Sequence, residues 1–243
     1  MASTFNPYPL IGTQLTSGLD AIVTAAPTTV DDLVDEIFTY VSGIYYSGGG
    51  GLVPIATEIE IKSVAYNIIN AYNNNPQTAS LGFTRQQSII IDMLLGCKTI
   101  CKTPVNALNV WFEDIQDNIT KADLNIDSQT PLLLAAVSGT SVYSYWITKV
   151  GTPGGWSAYF ETDAYKNYIN VPIWTTACIE GALIGSHASP KGLISPTTNI
   201  TSVTIISALI GALAIGAGKV IFGWVPRIQP GELSGTEDSC CTN

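Results

Sequence analysis

Apolar residues recur at every third or fourth position along most of the chain, the spacing that gathers them on one face of an α-helix. The clearest case is the segment from Val30 to Tyr46, which Gly48 and the three glycines after it bring to an end. Thr29 and Asp32 predict a capping box at its start, with Asp in place of the usual Glu or Gln. No stretch alternates cleanly enough between apolar and polar residues to indicate a strand. The pattern therefore predicts a mainly α fold.

The same spacing predicts four more helices, over residues 55–72, 84–102, 105–120 and 127–149. Thr84 and Gln87 have the spacing of a second capping box, and Pro131 falls in a first turn, where proline is well tolerated. Residues 156–170 are rich in aromatic side chains and indicate at most a short helix. Residues 1–17 contain two prolines and no clear period, so we expect an irregular lead-in there.

The most informative segment, residues 171–224, carries small residues at every fourth position in each of its halves. In the first half these are Ala177, Gly181, Gly185 and Ser189. In the second half they include Ala208, Ala212 and Gly216, with Gly211 alongside. On a helix such residues line up and let another backbone approach closely, as in the glycine zippers of membrane helices. Because Pro190, Gly192 and Pro196 separate the halves, we predict an antiparallel helical hairpin with its small faces inward.

These patterns divide the chain into four parts. We expect an irregular lead-in over 1–17, a helical bundle over 18–170, an apolar glycine-zipper hairpin over 171–226 and a flexible tail over 227–243. The predicted architecture is a multi-helix bundle with a C-terminal glycine-rich helical hairpin.

The length and charge of the hairpin leave its environment open. Val203 to Gly218 contains no charge, but its 16 residues would rise only about 24 Å, short of the roughly 30 Å hydrocarbon core. Extension to Trp224 reaches that length and includes Lys219, which can extend to an interface. Insertion into a membrane, constitutive or triggered, is one interpretation. A tightly packed soluble or oligomeric core is another, and a cleaved or processed segment is a third.

Glu180 is the candidate pH-sensitive residue, because it lies near the middle of the first hairpin helix. We expect it to lie opposite Ser207 or Ala208, with Lys219 too far along the second helix to pair with it. An unpaired carboxylate that enters an apolar environment tends to become neutral. Acid pH is then expected to promote membrane association. The competing interpretation is that Glu180 points to solvent from a soluble helix.

Charge excludes one large class of partners. Charged residues make up 12% of the chain, against about 25% in typical soluble domains, and the net charge is −9. The ten basic residues are scattered singly, so no patch can neutralise a nucleic-acid backbone. The run from Gly216 to Lys219 resembles the end of a phosphate-binding loop, but Val220 stands where such a loop has Ser or Thr. We expect no nucleic acid, no nucleotide and no cofactor.

The chain offers little for catalysis or metal binding. A Ser-His-Asp or Cys-His site would depend on His187, the single histidine. Cys97 and Cys101 lie four residues apart on a predicted helix, and we expect them to be buried free thiols, since a metal would need further ligands. Acid pairs such as Asp31-Asp32 favour helix N-termini without any catalytic role. We therefore predict no catalytic residues and no metal site.

One stretch resembles a known group of proteins. In order, it carries Thr130-Pro131-Leu132-Leu133-Leu134, Tyr143-Ser144-Tyr145-Trp146, Trp156 and Ile179-Glu180-Gly181-Ala182-Leu183-Ile184-Gly185. This order resembles uncharacterised bacterial proteins that pair a helix ending in a Tyr- and Trp-rich motif with a glycine-rich hairpin. The resemblance implies no activity and no catalytic residues. Members are usually exported, whereas the first residues here lack the pattern of a signal peptide.

Three function classes follow. The leading hypothesis is a non-enzymatic, membrane-interacting or self-assembling protein, toxin-like or bacteriocin-like, whose partner is membrane lipid or further copies of the chain. The second is a soluble structural or binding protein whose hairpin is its core. The third is an enzyme that uses carboxylates on a helical scaffold. We expect the protein to be membrane-associated, or exported without a recognisable signal peptide.

Overall fold

A computed structural model describes residues 8–47, 57–74, 82–99, 105–160, 164–188 and 200–224. These residues form eight α-helices and no strand, which confirms the predicted mainly α, bundle-like fold. The helices are α1 (Pro9–Ala25), α2 (Val30–Ser47), α3 (Glu58–Asn74), α4 (Arg85–Leu95), α5 (Val105–Lys121), α6 (Ile126–Val150), α7 (Ala164–Ala188) and α8 (Ile200–Phe222). Short 3₁₀ turns follow α4 at Gly96–Thr99 and precede α7 at Gly155–Ala158.

The expected irregular lead-in over residues 1–17 is wrong from Pro9 onward, because α1 begins there. Proline at the start of a helix lacks only an N–H that would have no helical partner, so it initiates α1 instead of breaking it. Ile11, Leu15, Leu19 and Ile22 are buried and fall every third or fourth residue. The two prolines of residues 1–17 argue against a helix there, although the spacing of these apolar residues is helical. Residues 1–7 lie outside the described part of the chain.

The predicted caps of α2 and α4 are present. The Thr29 amide donates to the Asp32 carboxylate at 2.9 Å, and the Asp32 amide donates to the Thr29 hydroxyl at 3.1 Å. Thr84 and Gln87 make the same reciprocal pair at 2.9 and 3.3 Å. Helix α4 ends at Leu95, earlier than predicted, and passes into a 3₁₀ turn.

The α7–α8 hairpin lies at the centre of the bundle. Helix α8 packs against α1, α2, α3, α6 and α7, and α7 packs also against α3, α4 and α6. Every side chain or glycine from Ile206 to Gly218 is buried. The outer helices α1, α2 and α3 turn apolar faces toward α8 and polar faces outward, so the most apolar helix of the described chain is enclosed by amphipathic ones.

The predicted division at residues 170 and 171 falls inside α7, which starts at Ala164. Pro172 lies in the third turn of this helix, so the sequence pattern placed the helix start too late. Side chains of α7 and α8 also share one continuous apolar cluster with the other helices. The hairpin is therefore the centre of a common core. The proposed tail, 227–243, lies outside the described residues.

Candidate functional site: the buried α7–α8 hairpin

The backbones of α7 and α8 meet at Gly181 and Gly211. A Cβ atom added to Gly181 would lie 2.5 Å from the carbonyl carbon of Gly211 and 3.0 Å from the amide nitrogen of Ala212. A Cβ added to Gly211 would lie 2.8 Å from the carbonyl carbon of Gly181. These are backbone atoms, which cannot rotate away as side chains do. Each glycine is therefore required by the other helix.

A second contact of the same kind lies one turn further along α7. A Cβ atom on Gly185 would lie 2.7 Å from the carbonyl carbon of Ser207 and 3.2 Å from the amide nitrogen of Ala208. Toward the other end of the hairpin, Gly216 of α8 lies against Cys178 of α7, and an added Cβ would be 3.6 Å from the Cys178 Cβ. Three successive levels of the hairpin thus place a glycine against the facing helix.

The structure therefore brings most of the sequence-selected small residues into one interface. Gly181, Gly185 and Gly211 contact the facing backbone, and Ala208 and Ala212 lie beside them. Gly216 contacts a side chain instead. Ala177 is buried, with 1% of its surface exposed. Ser189 lies outside the described residues.

The register of the hairpin differs from the expected one by about one helical turn. Because Gly181 meets Gly211 and Ala212, Glu180 lies at the level of Ala212 and not of Ser207 or Ala208. Lys219, which we expect to lie too far along α8 to pair with Glu180, lies seven residues beyond Ala212. Lys219 is half-buried and feels the charge of Glu180. The shifted register brings the two residues closer along the hairpin axis.

Glu180 is enclosed by the bundle, with 3% of its surface exposed, so it does not point to solvent. Tyr72 of α3 lies across from it and is equally buried. Burial raises the pKa of the Tyr72 hydroxyl, and the charge of Glu180 raises this pKa further. A buried carboxyl group is stable in a protein core only when polar groups accompany it. Tyr72 of α3 and Lys219 of α8 are the titratable groups on neighbouring helices that interact electrostatically with Glu180.

The α7 face beside Glu180 carries a thiol. Cys178 is a fully buried free cysteine and lies beside the indole nitrogen of Trp146. Cys97 is also buried and free, as expected, and its sulfur lies 3.2 Å from the Thr176 hydroxyl oxygen. Its predicted companion, Cys101, lies outside the described residues. Burial of both described thiols leaves them little access to oxidants or metals in the folded state.

A polar network that sequence reasoning missed ties α1 to α6. The Tyr145 hydroxyl donates to the Asp20 carboxylate at 2.9 Å and accepts the Trp156 indole N–H at 2.5 Å. Lys149 forms an ion pair with the same Asp20 oxygen at 2.6 Å. Burial raises the pKa of Tyr145, the Trp156 hydrogen bond lowers it, and Asp20 raises it again. The Tyr- and Trp-rich motif marked one side of this network, but nothing in the sequence indicated Asp20.

His187 and Lys62 contact neighbouring side chains of the fold. His187 packs its ring 4.4 Å from that of Phe83, between ring centroids. Lys62 forms ion pairs with Asp35 and Glu58 at 2.8 and 2.6 Å. Within the described residues, no group of three or more His, Cys, Asp or Glu side chains is arranged to hold a metal ion.

One described helix segment, Val203–Phe222 of α8, is long and apolar enough to cross a bilayer, and the core helix of a soluble protein would meet the same criterion. Of this segment, 78% is buried inside the bundle. The chain matches no family model, no curated protein and no solved structure. The resemblance to bacterial hairpin proteins stays a prediction.

Proposed function

We propose that this chain is a non-enzymatic, membrane-interacting protein that keeps an apolar hairpin inside a water-soluble helical bundle and delivers it to a lipid bilayer. A toxin-like or bacteriocin-like role fits this behaviour. The observation that carries the proposal is the position of α8, whose segment Val203–Phe222 has the length of a membrane span and lies at the centre of amphipathic helices. The partner is membrane lipid, and the protein acts at a membrane or outside the cell that makes it.

The chemistry of the hairpin supports this proposal. Close backbone contact through glycines, the packing of a glycine zipper, stabilises helix pairs in lipid, where the hydrophobic effect does not hold helices together. Lys219 and Trp224 lie near the end of the apolar segment, and such residues favour the interface between lipid and water. The ring of Trp224 covers Gly218 and is half-buried.

A second candidate function is a soluble structural or binding protein whose hairpin is simply its core. The burial of 78% of the α8 segment favours it, because a core helix needs no lipid to satisfy its apolar surface. The two candidates differ in one respect: whether α8 leaves the bundle when lipid is present. In the other version of the proposal, the hairpin binds further copies of the chain instead of lipid.

Flotation of the purified full chain with vesicles of phosphatidylcholine and phosphatidylglycerol tests the proposal, at pH 7 and at pH 5. We expect the protein to float with vesicles and to stay with them after an alkaline carbonate wash, which removes proteins bound only at the surface. A protein that remains at the bottom of the gradient at both pH values would favour the soluble candidate. Release by carbonate would exclude insertion, and sedimentation without lipid would reveal assembly of copies.

A further inference from the structure

The contacts inside the α7–α8 hairpin differ in kind from those that surround it. At Gly181, Gly185 and Gly211, the atoms nearest to an added Cβ belong to the backbone of the facing helix. At Gly18 of α1, the nearest atoms are the Leu213 and Tyr40 side chains, at 2.7 Å each. At these three glycines the hairpin is joined backbone to backbone, whereas at Gly18 α1 meets α8 through side chains.

This difference predicts which contacts survive in lipid. Apolar side chains of α1 and α8 associate because water excludes them, and a bilayer core supplies the same apolar surroundings without that association. Close backbone packing depends on shape and dispersion, which lipid tails cannot reproduce in so narrow a groove. Contacts such as Gly18–Leu213 therefore no longer stabilise the packing of α1 on α8 in a bilayer. The Gly181–Gly211 contact still stabilises the packing of α7 on α8 there.

We propose that α7 and α8 leave the bundle together as a preformed hairpin, and that the protein opens between this hairpin and α1. The inference rests on the proposed membrane function and specifies which surface separates. Glu180 and Lys219 travel together on the hairpin, while Tyr72 of α3 is left behind.

Two disulfides test the inference, because each one holds a different pair of helices. Gly216→Cys places a new thiol opposite the native Cys178, with the two Cβ atoms 3.6 Å apart, inside the disulfide range of about 3.5–4.5 Å. This bond joins α7 to α8. Gly18→Cys combined with Leu213→Cys is designed to join α1 to α8, because a Cβ atom at Gly18 would lie 2.7 Å from the Leu213 Cδ2 atom. Both are made in a chain with Cys101, Cys240 and Cys241 changed to serine, and peptide mass spectrometry verifies each bond.

Each variant is compared oxidised and reduced, by carbonate-resistant flotation and by release of a dye trapped in the vesicles. We expect the bound fraction of the oxidised Gly216→Cys protein to stay within about twofold of that of its reduced form. Its disulfide joins α7 to α8 and so still allows the hairpin to leave the bundle. We expect the oxidised Gly18→Cys/Leu213→Cys protein to bind about tenfold or more weakly than its reduced form, because its disulfide holds α8 against α1 and prevents release of the hairpin. Reduction should restore it, which excludes misfolding as the cause.

Several outcomes would overturn the inference. If oxidation of the Gly216→Cys protein abolishes binding and reduction restores it, the two helices must separate in lipid. If the α1–α8 bond has no effect, the opening lies elsewhere, and if the new thiol fails to pair with Cys178, the helices do not meet as described. The unsubstituted protein runs in parallel. If the unsubstituted protein does not bind vesicles, the proposed membrane function is wrong as well. If it binds, a negative result with the disulfides contradicts only the proposed opening between α1 and the hairpin.

Discussion

The Tyr72 phenol of α3 and the Glu180 carboxyl group of α7 interact in the core of the bundle, where each residue exposes 3% of its surface. Lys219 of α8 adds a half-buried positive charge within electrostatic reach. Three helices thus supply titratable groups to a largely apolar region. If the hairpin leaves the bundle, Glu180 moves away from Tyr72 and stays on the same hairpin as Lys219.

Neutralisation of Glu180 should favour association with vesicles. A carboxylate at the centre of a membrane helix costs about 2.5–3.5 kcal/mol on insertion scales, so removing its charge favours the inserted state. Falling pH adds the proton that removes this charge, and Glu180→Gln removes it at every pH. We expect the variant to float at pH 7 as well as the native protein does at pH 5. Glu113→Gln, on the exposed surface of α5, is the matched control and should leave the pH dependence unchanged.

Alanine at Gly181 should destabilise the bundle, because its methyl group would overlap the Gly211 backbone. Overpacking of a core costs about 1–3 kcal/mol. The matched control is Gly43→Ala in α2, where an added Cβ meets no atom within 4 Å. That change removes a flexible residue from a helix and should stabilise the protein by about 0.5–1 kcal/mol. Urea unfolding followed by circular dichroism measures both. Equal effects of the two substitutions would show that the helix contact at Gly181 does not limit stability.

Removal of the Tyr145 hydroxyl should also destabilise the protein. Tyr145→Phe deprives the buried Trp156 indole of its acceptor and Asp20 of a donor. A buried donor without a partner costs about 1–3 kcal/mol. Tyr168→Phe, which changes a phenol with 48% of its surface exposed, should stay within about 0.5 kcal/mol of the native protein. The same urea titration measures the free energy of unfolding of both variants. A Tyr145→Phe protein as stable as the native one would show that the network does not contribute to stability.

Helices α2 to α6 and the caps of α2 and α4 were predictable because they depend on local patterns. The Thr29–Asp32 and Thr84–Gln87 pairs need only residues three apart, and both form. Contacts between distant segments were less accessible. Which residues of α7 and α8 face each other cannot be read from spacing alone, and the pattern predicts Glu180 about one turn away from its observed level at Ala212. Asp20 and Tyr72 reach their partners from helices far along the chain, and no local signal indicates such pairs.

Acid should weaken the start of α2 through Asp32. Hydrogen bonds from the Thr28 side chain and backbone, and then from Thr29, hold the pKa of Asp32 below its ordinary value. A carboxylate with a depressed pKa in the folded state binds its proton more weakly there than in the unfolded chain. Its stabilising contribution is therefore complete above the unfolded pKa, about 3.9, and disappears as pH falls through the lower folded value. Asp32→Ala should lower the melting temperature at pH 7, and the difference from the native protein should shrink as pH falls below about 4. Thermal unfolding across this pH range measures it, with Glu113→Ala as the control. A difference that persists unchanged into strong acid would assign the effect to helix propensity, and not to the charged cap.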